Sequence, residues 1–127
     1  MGKRSRRRDR DRPVAPAAPE TEYTDAEGNV LVLRGSLPAR ARREYARTLA
    51  GEGRVAGGES AREDAWQRAV ELLFERLALR WEIAGAPISR QRELLARFRV
   101  ASPEERAWVR EALRAHCAEH FPELRAP

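Results

Sequence analysis

Four stretches of the chain place apolar residues three and four positions apart, the spacing that lines one face of an α-helix. Leu37, Ala41, Tyr45 and Leu49 make the first stripe. Trp66, Val70, Leu73, Leu77 and Trp81 make the second, joined by Ala69, Phe74 and Ala84. Leu94, Leu95 and Phe98 make the third, and Trp108, Val109, Ala112, Leu113 and His116 the fourth. With 42% hydrophobic and 35% charged residues in 127, this periodicity predicts a mainly α domain with a modest core under a charged surface. No stretch repeats another at a fixed period, which argues against a solenoid.

Local signals divide the stripes into elements. Ser36 can cap a helix with Pro38 in its first turn, and Gly51 ends it. Ser60-Ala61-Arg62-Glu63 has the form of a capping box, in which hydroxyl and carboxylate each satisfy a free amide of the first turn. It predicts the longest helix, running to Ala84 before Gly85 and Pro87 stop it. Ser89 starts a short third helix with Arg90, Arg92, Arg97 and Arg99 outward. Ser102-Pro103-Glu104-Glu105 starts a fourth, which Phe121-Pro122 ends. Ahead of the helices, Tyr23-Thr24 and Val30 to Arg34 flank Gly28-Asn29 as a β-hairpin, with the glycine supplying positive φ. Two strands alone are marginal in water, so the hairpin must lay one face on the helices. The expectation is one compact four-helix domain over residues 23–127 with a short N-terminal β-hairpin. The glycine-rich stretch from Gly51 to Gly58 reads as a connector between the first two helices.

The charge is unevenly placed. Of 25 Lys+Arg and 20 Asp+Glu, the first twelve residues hold seven and two, which accounts for the whole net charge of +5. Lys3, Arg4, Arg6, Arg7, Arg8, Arg10 and Arg12 are therefore the candidates for nucleic-acid binding, by neutralising phosphates and releasing counterions. No aromatic residue is interleaved for base stacking, so sequence-independent affinity is the most this arm offers. With Pro13, Pro16 and Pro19 following, residues 1–22 are expected to be a disordered basic arm. Only Lys3 among the basic residues is a lysine. That bias suits either a GC-rich genome or a use for the planar, multidentate guanidinium. A single cysteine, Cys117, excludes a disulfide scaffold, and no apolar run approaches a membrane span. Arg6 to Arg8 are not followed by an apolar export segment, and position 6 does not fit a myristoylation pattern. A cytoplasmic location and no cofactor are the expectations.

His116-Cys117-Ala118-Glu119-His120 is the one motif with a chemical reading. It matches H-x-x-E-H, in which two histidines four apart share a helix face and a carboxylate between them activates a zinc-bound water. A third ligand is wanting: Glu123 is the only carboxylate after His120, and there is no other histidine. A polar last turn favoured by the helix dipole is the plainer reading. Zinc-dependent hydrolysis thus stands as an alternative, and the expectation is that the chain is not an enzyme and holds no metal. No G-x-S-x-G turn and no phosphate-loop glycine pattern is present.

The segments Asp64-Ala65-Trp66-Gln67-Arg68, Leu73-Phe74-Glu75-Arg76-Leu77 and Arg80-Trp81-Glu82-Ile83-Ala84-Gly85 resemble those of small helical proteins of actinobacterial phages and prophages. With Gly28 to Leu31 and Trp108-Val109-Arg110, the resemblance extends over residues 23–121 and is nearest to siphophage tail assembly chaperones. It carries no catalytic motif. It implies an all-helical, non-enzymatic assembly chaperone whose partners are the tail tape-measure protein and tail-tube subunits. The candidate protein-binding residues are Trp66, Phe74, Trp81, Phe98 and Trp108, which serve either as core or as partner contacts. Whether the chain captures a partner as a monomer or forms a homo-oligomer is left open by the alternating charge of its segments.

Overall fold

The computed structural model describes residues 19–51 and 58–127. Its order is β1 (Thr21–Thr24), β2 (Val30–Leu33), α1 (Ala39–Leu49), α2 (Glu59–Leu77), β3 (Ala78–Ile83), β4 (Ala86–Ile88), α3 (Gln91–Arg99) and α4 (Pro103–His120). The four strands form one antiparallel sheet in the order β1-β2-β3-β4. Four helices are therefore present among the described residues, but the expected two-stranded hairpin is half of a larger sheet.

The difference lies in the predicted helix from Ser60 to Ala84, which ends at Leu77. From there Leu79, Trp81 and Ile83 alternate with Arg80 and Glu82, the period of two that makes a strand with one apolar face. Trp81 opposes Leu31 on β2 and Ile88 on β4, so three strands place apolar side chains in one row. The ladder shifts register between Val32 and Leu33, where Leu33 pairs with Ala78 rather than Leu79. Such an extra residue in one strand bends it locally. Gly85 and Pro87, expected to stop a helix, belong instead to the β3–β4 hairpin. Ala84 and Gly85 both have positive φ (53° and 80°), as a two-residue type I′ connection requires. Pro87 sits on the edge strand, where its missing N–H costs no ladder bond.

The β1–β2 turn is built by Asp25, whose carboxylate accepts from the backbone N–H of Glu27 and Asn29 and from the Asn29 side chain, each at 2.9 Å. The Asn29 carbonyl oxygen Oδ1 in turn accepts from the Ala84 N–H at 2.9 Å. The two hairpin turns are thereby tied together.

Helix starts divide as their chemistry allows. Ser102 makes the full capping box: its hydroxyl accepts from Glu105 N–H at 3.1 Å, and Glu105 accepts from Ser102 N–H at 2.9 Å, with Pro103 opening the helix. Ser60 does not cap α2, which begins one residue earlier behind Gly58 with no side-chain cap. Likewise α1 starts after Pro38, not at Ser36, and α3 after Arg90, not at Ser89.

The core joins the inner sheet face (Leu31, Leu33, Trp81) to the stripes of all four helices. Phe74 of α2 stacks on Phe98 of α3 at 4.7 Å between centroids and meets Trp81 edge-on at 5.8 Å. The last residues close over α1: Tyr45 Oη donates to the Arg125 carbonyl at 2.6 Å, and Phe121 is buried. The strand at Thr21 begins inside the stretch expected to be arm, whose first 18 residues lie outside the described ones. Among the described residues no helix is long and apolar enough to cross a membrane.

Trp81→Ala is expected to cost about 3–5 kcal/mol of unfolding free energy, because it empties the contact between sheet and helices. Ala84→Asn should act in the other direction, by about 1 kcal/mol, since alanine at positive φ is strained and asparagine tolerates it. Denaturant titration of both variants checks the pair. An Ala84→Asn loss of stability would contradict the hairpin at 83–86.

Candidate functional site

The sequence motif at the end of α4 is a polar cluster inside the protein. Residues 113, 116 and 117 fall on the core face of the helix, which buries His116 completely although it is polar. Strand β1 brings Tyr23 to it from the sheet, and the chain leaving β2 brings the Arg34 carbonyl. The His116 ring nitrogens Nδ1 and Nε2 lie 2.9 Å from Tyr23 Oη and 2.8 Å from Arg34 O. A carbonyl oxygen only accepts, so Nε2 carries the proton and donates to Arg34, leaving Nδ1 to accept from the Tyr23 hydroxyl. His120, one turn on, lies 4.4 Å from the His116 ring and reaches Thr21 Oγ1 at 3.3 Å. The cluster ties β1, the end of β2 and the last two turns of α4 together.

Electrostatics keep the buried imidazole neutral. Burial is the largest cause lowering its pKa, opposed by the bond to Arg34; His120 lowers it further and Glu119 raises it. The Tyr23 hydroxyl is held above its ordinary pKa, chiefly by burial and then by Glu119 and Cys117. Burial also pushes the Cys117 thiol up to about 11. A thiol so protonated and so enclosed is a packing group, since nucleophilic cysteines sit in exposed sites that lower the pKa.

Both nitrogens of His116 are engaged within the protein, and Glu123 bonds Arg42 Nη1 rather than completing a ligand set. Among the described residues, no group of three or more His, Cys, Asp and Glu is placed to hold a metal ion.

The five aromatic candidates separate. Phe74 (0% exposed), Phe98 (1%) and Trp81 (2%) are core residues and offer nothing to a partner. Trp66 and Trp108 are half-buried at the edge of the core. The Arg110 guanidinium lies 5.0 Å from the Trp66 ring centroid, a cation–π contact that joins α4 to α2. The basic candidates from Lys3 to Arg12 lie outside the described residues.

The arginines of α3, expected as a basic outer face, are partly spent. Arg97 makes two bonds to the Glu105 carboxylate (3.2 and 2.8 Å) and covers the Trp81 ring at 5.3 Å. That arginine, first among several contacts, holds the Glu105 carboxyl below its usual range. Arg99 bonds Glu71 on α2 at 3.0 Å. Sequence reading missed the Tyr23–His116 bond, although the alternation within β1 and β2 places Tyr23 opposite Leu31 on the core face. It also missed a surface concavity between α1 and α2, lined by Pro38, Arg40, Ala41, Glu44, Arg47 and Arg76. No periodicity announces a site shared by two helices.

His116 sets an acid limit on stability. Its folded pKa is depressed below the ordinary 6.5, so the unfolded chain takes the proton first and stability falls as pH drops below that value. Chemical denaturation between pH 8 and pH 5 should show this loss, and the slope should flatten in His116→Gln. His116→Ala should cost about 2–4 kcal/mol at neutral pH by opening a cavity and stranding Tyr23, with a chelator leaving wild-type stability unchanged. The chain matches no family model, no curated protein and no solved structure.

Proposed function

We propose that the chain is a non-enzymatic binding protein, an adaptor or assembly chaperone that holds a protein partner. The observation that carries the reading is the inward, fully hydrogen-bonded placement of His116, beside a buried, protonated Cys117. Two of the motif's reactive side chains thus serve the fold. What remains at the surface suits recognition. Trp66 and Trp108 are half-buried aromatics of the kind enriched at interfaces, and Val100, beside the start of α4, is 76% exposed. The resemblance to siphophage tail assembly chaperones makes the tape-measure and tail-tube proteins the first partners to test.

Co-purification of the full chain with the tape-measure and tail-tube proteins of its own genome tests the reading. A complex that survives gel filtration, and that Trp66→Ala with Trp108→Ala weakens by about tenfold or more, is expected from the loss of two aromatic contacts. Absence of a complex with either protein, from folded samples, would remove the phage-tail reading. A second reading, sequence-independent nucleic-acid binding through the arm, is favoured by the seven basic residues among the first twelve. It predicts steeply salt-dependent binding that depends on those seven charges.

A further inference from the structure

Strand β1 lies at one edge of the sheet and pairs with β2 alone. Beyond that ladder, three polar ties hold its side chains among the described residues. Glu22 reaches Arg80 at 3.9 Å through a carboxylate that is 66% exposed, a pairing that contributes little in water. The other two ties both end on a histidine of α4. Tyr23 Oη meets His116 Nδ1 at 2.9 Å, and Thr21 Oγ1 meets His120 Nε2 at 3.3 Å. The two imidazole rings lie 4.4 Å apart. Val109, Leu113 and Cys117 anchor α4 in the core, so β1 is the weaker side of this contact.

We propose that β1 is an acid-released strand: a proton taken up by the His116–His120 pair unlatches β1 from α4, while the helices and the β2–β3–β4 sheet stay folded. Neutral His116 has one donor and one acceptor, and the Arg34 carbonyl and the Tyr23 hydroxyl use both. A second ring proton turns Nδ1 into a donor. The Tyr23 oxygen then has to accept, and its own hydrogen has no other acceptor among the described residues. The new charge also falls on a ring that is 0% exposed. The groups around that ring do little to hold it. From β1 comes neutral Tyr23, from the end of β2 the Arg34 backbone carbonyl, and from α4 Cys117, Glu119 and His120. Beyond Phe121, Arg42 of α1 is turned to Glu123 and Tyr45 to the Arg125 carbonyl. Burial is the largest influence and opposes the proton, as does His120, while the Arg34 carbonyl and Glu119 favour it. Releasing β1 admits water to the ring and lifts the burial penalty, so the open form takes the proton more readily than the closed one. Opening therefore grows as pH falls below the ordinary 6.5 of histidine. With β1 away, β2 becomes the edge of the sheet and presents unpaired backbone groups to another strand.

Amide hydrogen exchange of the full-length chain between pH 7.5 and pH 5, corrected for the intrinsic exchange rate at each pH, tests this residue by residue. Protection of the Thr21–Thr24 amides that are bonded to β2 should fall by up to about tenfold per pH unit below 6.5, the slope of one linked proton. It should also stay about tenfold or more below the protection of Phe74 and Leu113, since a local opening costs less than global unfolding. His116→Gln offers an amide donor to Arg34 and an amide oxygen to Tyr23 but takes up no proton. In that variant β1 should lose most of its pH slope. Tyr23→Phe leaves both histidines in place and removes one tie, so β1 protection should drop about fivefold already at pH 7.5. Protection of β1 that is the same at both pH values would overturn the proposal, because opening would then take up no proton. Protection equal to that of Phe74 at pH 5 would do so as well, because β1 would then leave only when the whole chain unfolds. A wild-type slope in His116→Gln, or unchanged β1 protection in Tyr23→Phe, would be equally decisive against it.

Discussion

Phe74 lies between the rings of Phe98 and Trp81, and through it α2, α3 and β3 share one apolar centre. Much of the arrangement depends on that contact because α2 and β3 are continuous in sequence. Phe74 is three residues before the helix ends and Trp81 three after the strand starts. A helix carried on to Ala84 would keep both on one stripe, at the cost of leaving Leu31 and Ile88 without the partner that Trp81 provides. Breaking the helix at Leu77 turns the chain back along β2, and the Arg34 N–H closes the junction on the Leu77 carbonyl at 2.9 Å. The sheet therefore gains its third and fourth strands without giving up the aromatic packing. Aromatic pairs of this geometry are worth roughly 0.5–1.5 kcal/mol each beyond the area they bury.

The polar cluster at His116 solves a different problem. β1 is a four-residue edge strand with an alternating half-exposed pattern, too short to be held by its ladder alone. Tyr23 places a hydroxyl inside the fold, where an unpaired hydroxyl would be expensive. Nδ1 of His116 satisfies it, and Nε2–H satisfies the Arg34 carbonyl as the chain leaves the sheet. One neutral ring thus answers two buried polar groups from different elements. A leucine at 116 would fill the space and strand both. The cost is the acid sensitivity of a ring that is buried uncharged.

Helix existence was legible from apolar spacing, and the α4 start was legible residue by residue, because Ser102, Pro103 and Glu105 act locally and need no tertiary partner. Ser60 and Glu63 carry the same letters without making the same bonds, since α2 begins behind Gly58. The misreading after Leu77 has a physical origin. Leu73, Leu77 and Trp81 satisfy a period near four, and Leu79, Trp81 and Ile83 satisfy a period of two. The choice between them is made by β2, some fifty residues earlier, whose Leu31 needs an opposing residue. Gly85 and Pro87 could not arbitrate, because glycine ends helices and turns hairpins alike. At the candidate site, the i, i+4 histidines were visible as a pair on one face. Their burial was not, because it depends on Tyr23, ninety-three residues away in sequence.

The arginine bias acquires a structural sense at three places. Arg42, Arg97 and Arg110 lie over Phe121, Trp81 and Trp66 at 5.1, 5.3 and 5.0 Å from the ring centroids, while Arg42 and Arg97 also bond Glu123 and Glu105. A planar guanidinium can cover a ring with its face and meet a carboxylate with its edge, whereas an ammonium can do only one of these well. In each case the arginine shields an aromatic edge of a small core, and in two it fixes a neighbouring acid. Arg40 and Arg43 lack both kinds of partner among the described residues. The same residue type is thus divided between positions where the fold uses it and positions where it is left for solvent or a ligand.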